Sequence, residues 1–321
     1  MIFGHYITIF IILLAFEYAF FLMAQRLCIV DKPHLQSSHK GVVVRGGGII
    51  FYVAFLIWTI INGFPAIERF TGLTILAVVS FIDDVHSISP KIRLVCHFMA
   101  IFLLFYHSGL IRAPFHVIIL LTMACVSAIN IFNFMDGING MTGGYSLVVT
   151  SVMLYVNEKM VHFTESSLLS YLIISILIFN FFNFRKNAKC FAGDVGSLTI
   201  GFILVYLVLR LCLRGQSMSW IVMFAVYGVD GGLTILHRML LKENLMKPHK
   251  KHAYQILANE LKIPHLVVSG IYMGLQAICC VWYIAYPGYL TLFIEVGILV
   301  AMYLLFMKKY YHLHVRKDYK S

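Results

Sequence analysis

The sequence has few charged residues: only 12% of its 321 residues are Asp, Glu, Lys or Arg. An ordinary soluble domain has about 25%. Hydrophobic residues make up 60% of the chain, and its mean hydropathy is +0.86. Soluble domains of this length would need far more polar surface. The composition therefore excludes a soluble protein and predicts an integral membrane protein.

The sequence also lacks a disulfide pattern and any visible internal repeat. Its seven cysteines lie mostly within apolar runs without paired spacing, which predicts free thiols. The apolar segment 5–24 has neither a basic region before it nor a small-residue cleavage site after it, so we expect a retained helix. With no internal repeat visible, we expect a single polytopic membrane domain over residues 1–321.

Eleven apolar segments approach the roughly 20 residues that a helix needs to cross a bilayer. They predict an all-α integral membrane protein, a bundle of about 10–11 transmembrane helices. The segments are 5–24, 46–63, 66–82, 92–108, 115–133, 143–158, 166–182, 197–213, 217–235, 265–285 and 289–307.

Basic residues set the expected orientation. With the N-terminus outside, twenty of the 25 Lys and Arg residues fall on the inner side and five on the outer side. The C-terminal tail is then cytosolic, where its positive charge suits anionic membrane lipids. All seven aspartates also fall on the cytosolic side or at cytosolic helix ends. This convergence predicts a polar site at the inner membrane face.

Three motifs place acidic or amide side chains at that face, in FIDDVHSIS, NIFNFMDGINGMTGG and FAGDVGS. Each has a simpler interpretation when taken alone: an acidic pair that ends a helix, a polar seam between helices, or an N-cap. Their shared position favours a common site. The candidate residues in these motifs are Asp83, Asp84, Asn130, Asn133, Asp136, Asn139 and Asp194.

Two long basic loops, 25–45 and 236–264, lie on the same side. The simpler interpretation is a positive-inside loop in the first case and a basic segment lying on anionic lipid in the second. Clustered cations also suit a diphosphate. The other expected catalytic loops are 83–92, 130–144 and 183–197, and the basic-loop candidates for substrate binding are Lys40, Arg45, Lys247, His249 and His252.

Together these residues predict phosphoryl-transfer chemistry. Carboxylate and amide oxygens suit Mg²⁺, which typically binds one or two carboxylates together with substrate phosphates. Phosphoryl transfer depends mainly on positioning and charge neutralisation. A site at the inner membrane surface can reach both a soluble phosphorylated donor and a lipid phosphate.

In their order along the chain, FIDDVHSIS, NIFNFMDGINGMTGG, FAGDVGS and KPHKKHAYQ resemble the polyprenyl-phosphate N-acetylhexosamine-1-phosphate transferase family, over residues 31–255. The resemblance implies a multi-pass enzyme of the bacterial inner membrane. It implies transfer of a sugar-1-phosphate from a UDP-amino sugar to undecaprenyl phosphate, with release of UMP. It also implies a requirement for Mg²⁺ or Mn²⁺.

The same motif match implies roles for individual residues. Asp194 would be a direct metal ligand and Asn133 a second one. Asp83 and Asp84 would lie at the lipid phosphate, where Asp83 in particular would deprotonate or orient it. Direct attack is favoured, and a covalent enzyme intermediate stays open. The implied contacts with the nucleotide sugar, its diphosphate or its sugar are Asn130, Asp136, Asn139, His249 and His252.

The sequence departs from the family pattern at several positions. Asn139 replaces the second carboxylate of the usual DG-x-DG form, which argues against an essential acid–base role there. HKKH stands where the peptidoglycan branch has three consecutive histidines, and Val42–Val44 stand where it has prolines. These features favour the branch that initiates O-antigen and capsule synthesis.

Other functions remain as alternatives. A secondary transporter would place its polar residues near the bilayer midplane, yet the midspan acids here are few, Glu17 and Glu295. A CDP-alcohol phosphotransferase would need a denser aspartate motif, and a scaffold protein would not need converging carboxylates. We expect no nucleic-acid partner. Relatives can be dimers, so a homodimer is a further expectation.

Overall fold

The computed structural model describes residues 2–31, 43–244 and 250–318. These residues form twelve helices and a short antiparallel hairpin, β1 (Val30–Asp31) with β2 (Val43–Val44). The helices are α1 (Ile2–Arg26), α2 (Ile49–Ile61), α3 (Ile67–Val85), α4 (Pro90–Ser108), α5 (Phe115–Met135), α6 (Met141–Lys159), α7 (Ser166–Asn183), α8 (Gly193–Arg214), α9 (Ala225–Leu240), α10 (Ala253–Gln255), α11 (His265–Ala285) and α12 (Tyr289–Asp318).

All predicted spans are helical, and ten of the eleven correspond to a single α-helix each, so the prediction of an all-α, multi-pass membrane protein is confirmed. Within the described ranges, eight helices are long and apolar enough to cross a membrane, and α2 is a shorter apolar helix. The ninth predicted span differs in detail. It begins as a 3₁₀ helix, Met218–Phe224, and continues as α9.

Prolines and one glycine divide the bundle into its helices. Pro90 occupies the first turn of α4, and Pro114 and Pro264 directly precede α5 and α11. Proline suits these positions because its fixed φ matches a helix start, where no intrahelical N–H bond is lost. Gly109 ends α4 in the left-handed conformation, and thereby separates the fourth and fifth predicted spans.

Helix α8 forms the centre of the bundle. Its sequence is apolar on all sides and almost every residue is buried, as expected for a helix surrounded by others. It packs against α2, α3 and α5. At its C-terminal end Tyr206 bonds to Arg69 of α3, whose guanidinium also lies over the rings of Phe55 and Trp58. This contact fixes α3 against α8 at the end opposite the site.

The hairpin joins the loop after α1 to the loop before α8. Val44 of β2 pairs in parallel with Cys190, and the Phe191 amide donates to the Val44 carbonyl at 2.8 Å. Further along, the Gly47 amide donates to the Phe191 carbonyl at 2.9 Å. This pairing places Arg45 beside the start of α8. All seven cysteines are free thiols, which confirms that prediction.

Candidate active site

The C-terminal ends of α3 and α5 meet the N-terminal end of α8 at one end of the bundle. A cavity of about 420 Å³ opens there, and its surface is polar. The helix ends therefore bring three separate motifs together. The residues that line the cavity are Asp31, Arg45, Asn133, Asp136, Gly137, Ile138, Asn139, Asn183, Phe191, Ala192, Gly193, Asp194 and His265.

Both carboxylate oxygens of Asp84 accept hydrogen bonds from within the protein. Asp84 lies in the last turn of α3, and its side chain has no solvent exposure. Its two oxygens accept the backbone N–H groups of Asp194 and Val195, both at 2.9 Å, and Oδ1 also accepts Arg45 Nε at 2.7 Å. Asp84 thus caps α8 from another helix, because the first N–H groups of a helix lack intrahelical partners.

Asp83 and Asp194 share one guanidinium. Arg93 Nη1 lies 2.6 Å from Asp83 Oδ2 and 3.1 Å from Asp194 Oδ2. Asp83 Oδ1 also accepts the Ile88 amide at 2.6 Å. Asp83 was expected to open a loop, but it lies within α3, which continues to Val85. Arg93 therefore holds two candidate carboxylates from different helices close to each other.

Asn133 connects α5 to α8. Its Nδ2 donates to Asp194 Oδ1 at 2.8 Å and to Ser197 Oγ at 2.9 Å. The N-cap of α8 is Ala192, and Asp194 lies inside the first turn of the helix, so the interpretation of Asp194 as an N-cap is wrong. Asp136 follows α5 directly and lines the same cavity. Burial raises the pKa of the Asp136 carboxyl group to about 8, and the nearby Asp194 and Asp84 carboxylates also raise it.

Two glycines permit this close arrangement. Gly46 and Gly193 have φ values of +83° and +71°, a region that side chains with a Cβ rarely adopt. A Cβ at Gly193 would lie 2.5 Å from Asp84 Oδ2 and 2.8 Å from the Gly46 Cα. These glycines therefore allow the backbone that follows the hairpin to pack closely against the start of α8.

Asn139 and Asn130 occupy different positions. Asn139 lines the cavity, and its Nδ2 donates to the carbonyls of Arg185 and Lys186 at 2.9 and 3.3 Å. Asn130 is not among the described residues that line the cavity. It lies one turn before Asn133 on α5, and its Nδ2 is 3.3 Å from His97 Nδ1 of α4.

The basic loops are described in part. Arg45 lines the cavity, whereas Lys40, Lys247 and His249 lie outside the described residues. His252 is only 1% exposed, and its Nδ1 lies 3.4 Å from Asp230 Oδ1. In the part of the chain that the structure describes, His252 is therefore a buried residue behind the cavity and not part of its lining.

Three lining residues were not singled out from the sequence: Asp31, Asn183 and His265. Asn183 is the last residue of α7, and its side chain accepts the Gly140 amide at 2.7 Å and donates to the Cys190 carbonyl at 2.8 Å. It ends an apolar run at the same face as the aspartates, which is a signal the sequence did offer. Asp31 and His265 carry no comparable signal.

The cavity offers hard oxygen ligands beside fixed positive charge. Across residues 2–31, 43–244 and 250–318, no cluster of three or more His, Cys, Asp or Glu residues is arranged to hold a metal ion. A metal ion would therefore need ligands beyond such a cluster, as Mg²⁺ does when it shares substrate phosphates. Arg45 and Arg93 supply charge that suits phosphate oxygens.

The fold and the site define a multi-pass membrane protein with an acidic, arginine-flanked cavity at one end of the helix bundle. Residues 66–212 match the family model described as glycosyl transferase family 4. The matched segment includes Asp83, Asp84, Asn133, Asp136 and Asp194. This match confirms the resemblance on which the motif interpretation rests.

Curated relatives agree with this assignment. The chain is 25% identical to a probable undecaprenyl-phosphate N-acetylglucosaminyl 1-phosphate transferase of Bacillus subtilis (strain 168), over 78% of this chain and 76% of the relative. It is 26% identical to the undecaprenyl-phosphate alpha-N-acetylglucosaminyl 1-phosphate transferase of Yersinia pestis, over 78% and 75%. The protein of that name from Salmonella typhi is 27% identical, over 78% and 75%.

Proposed function

We propose that this protein transfers an N-acetylhexosamine-1-phosphate from a UDP-sugar to undecaprenyl phosphate and releases UMP. The observation that carries the proposal is that three helix ends meet at one polar cavity: Asn133, Asp136 and Asp194 line it, and Arg93 joins Asp83 to Asp194. The names of the relatives support this reaction class. The departures at Asn139 and HKKH favour a role at the start of O-antigen or capsule synthesis.

The residues fit a magnesium or manganese ion. Asp194 supplies a carboxylate, Asn133 an amide carbonyl and Asp136 a further carboxylate, and all three line the cavity. Such oxygen donors suit Mg²⁺ better than a site of nitrogen or sulfur ligands would. When bound, the metal ion would neutralise the diphosphate of the donor.

The residues of the chain divide the remaining tasks. Asp83 would orient the acceptor phosphate, or take its proton, for direct attack on the β-phosphate of the UDP-sugar. Arg93 and Arg45 would hold phosphate oxygens while their carboxylate contacts keep them in place. Asp84 has all its contacts within the protein, so we assign it the task of fixing the start of α8.

The location of the cavity supports the proposed topology. The N-terminus of α1 and the cavity lie at opposite ends of that helix, because the hairpin that follows α1 contributes Asp31 and Arg45 to the lining. With the N-terminus outside, the cavity faces the cytosol, where UDP-sugars are made. We propose the bacterial inner membrane as the location, with the C-terminus cytosolic.

A transfer assay tests this function. Purified protein in detergent, undecaprenyl phosphate and Mg²⁺ are mixed with radiolabelled UDP-amino sugars, and lipid product and UMP are measured with and without EDTA. We expect labelled lipid only with metal. Asp194→Asn should lower turnover by at least about a hundredfold, because it removes the charged carboxylate that would hold the metal ion beside the donor phosphates.

Glu158→Gln is the matched control, because it removes one carboxylate near the C-terminal end of α6, away from the cavity. It should keep wild-type turnover. Wild-type turnover by Asp194→Asn would contradict the metal assignment. Absence of both lipid product and UMP with every donor, in folded protein, would contradict the proposed reaction.

A further inference from the structure

Asp230 is a second buried carboxylate that the motif analysis did not use. It lies on α9 and is 3% exposed. Its Oδ2 accepts the Tyr272 hydroxyl at 2.6 Å, and its Oδ1 accepts Thr234 Oγ1 at 3.3 Å. A buried carboxylate is costly unless hydrogen bonds satisfy it. The remaining contacts of Asp230 therefore indicate what it supports.

Those contacts all come from the basic segment after α9. The backbone N–H groups of Ala253 and Tyr254 donate to Asp230 at 3.0 and 3.4 Å, and His252 Nδ1 lies 3.4 Å away. Asp230 thus holds the start of the short helix α10 across more than 20 residues of chain. The arrangement parallels that of Asp84 at the start of α8.

Tyr254 extends this support to the cavity wall. Its side chain is fully buried, and its hydroxyl donates to the Phe134 carbonyl at 2.8 Å. A Cβ at Gly137 would collide with the same hydroxyl. In the chain, Phe134 directly follows Asn133, and Gly137 directly follows Asp136. The position of these two cavity residues is thus tied to α10.

We propose that Asp230 and Tyr254 are positioning residues for the cavity: Asp230 fixes α10, and Tyr254 in turn fixes the segment 134–137 that carries Asp136. The proposal rests on the proposed function, since it assigns this segment to the nucleotide-sugar and metal site. It also assigns His252, which lies beside Asp230, to the contacts that fix α10. The basic segment is thereby connected to the site through the backbone as well as through its charge.

Tyr254→Phe tests the proposal because it removes only the hydroxyl. Tyr283→Phe is the matched control: it also removes one buried hydroxyl, on α11, but that hydroxyl bonds to Ser219 and not to Asp230 or segment 134–137. We measure kcat, the KM for each substrate, the melting temperature, and the affinity for UMP with Mn²⁺ by calorimetry.

We expect Tyr254→Phe to lower kcat/KM for the UDP-sugar by roughly 5- to 30-fold, because small displacements of positioning groups are costly. Its affinity for UMP with Mn²⁺ should fall as well, while the KM for undecaprenyl phosphate stays within about twofold of wild type, since the acceptor contacts lie elsewhere. Tyr283→Phe should lower the melting temperature comparably and leave UMP binding unchanged.

Gly137→Ala perturbs the same contact from the cavity side, by adding a Cβ against the Tyr254 hydroxyl. It tests the proposal if Tyr254→Phe does not fold. Its effect should be smaller in the double variant with Tyr254→Phe, where the colliding hydroxyl is gone. If Tyr254→Phe, Tyr283→Phe and an active wild type have equal kinetics, the positioning role alone is overturned. A wild type that neither transfers sugar phosphate nor binds UMP would overturn the proposed function, and this inference with it.

Discussion

Asp83 and Asp84 are adjacent in the chain, yet their surroundings give them different tasks. Asp84 is bonded to three donors within the protein, two of which are backbone N–H groups at the start of α8. Asp83 faces Arg93 and the second candidate carboxylate, Asp194. Substitution should therefore separate stability from activity at these two positions.

Asp84→Ala should lower the free energy of unfolding by about 2–4 kcal/mol, since it leaves buried N–H groups without an acceptor. Asp83→Asn should leave the melting temperature in detergent close to that of wild type, and should abolish turnover. Thermal unfolding and the transfer assay measure the two effects. Equal loss of stability in both variants would contradict the division of tasks.

Gly193→Ala should be severely destabilising. The left-handed backbone costs a residue with a Cβ about 1–2 kcal/mol, and overpacking against Asp84 and Gly46 adds about 1–3 kcal/mol. Gly270→Ala is the control, because a Cβ there meets no atom within 4 Å in helix α11. It should be neutral or slightly stabilising. Similar melting temperatures for the two variants would refute the packing argument.

At this scale the sequence indicates residue types but not their partners. A carboxylate next to an apolar run is costly in a membrane, so FIDDV and FAGDV identified a polar site without any structure. The bond from Asp84 to the Asp194 amide joins residues 110 positions apart, and no local pattern encodes it. The same reason explains why Asp230 and His265 were missed.

Among the elements, α3 and α8 are joined at both ends. Asp84 caps α8 at the cavity, and Arg69 bonds to Tyr206 at the far end. The spans themselves were predictable, since apolar length and proline positions are local features. The approach of α3 to α8 was not, because it depends on contacts between distant segments.

Arg69→Ala should destabilise the bundle by about 1–3 kcal/mol, because it removes a desolvated cation from three aromatic rings and leaves the Tyr206 hydroxyl without its partner. Turnover per folded molecule should persist, since the cavity lies at the other end. The control is Arg112→Ala, at an exposed arginine between α4 and α5. A loss of turnover without loss of stability would show that the far end affects the site.

For the whole molecule, the orientation in the membrane can be measured by labelling one native thiol. Cys28 is exposed and lies just after α1, at the cavity end. An impermeant maleimide should label it in inside-out vesicles and not in intact cells, with Cys28→Ser as the unlabelled control. Glu158→Cys in the Cys28→Ser background, near the C-terminal end of α6, should show the reverse pattern. Labelling of Cys28 from outside would reverse the proposed topology.

The distance along the chain between Asp84 and its cap has a consequence for synthesis. The Asp194 amide follows 110 residues after Asp84. At a translation rate of roughly 5–20 residues per second, this interval lasts roughly 5–20 s. During it, Asp84 can pair with Arg45, which precedes it in the chain, but lacks the two backbone N–H donors of α8. The arrival of α8 therefore completes the central packing of the bundle and the first assembly of the site in one event.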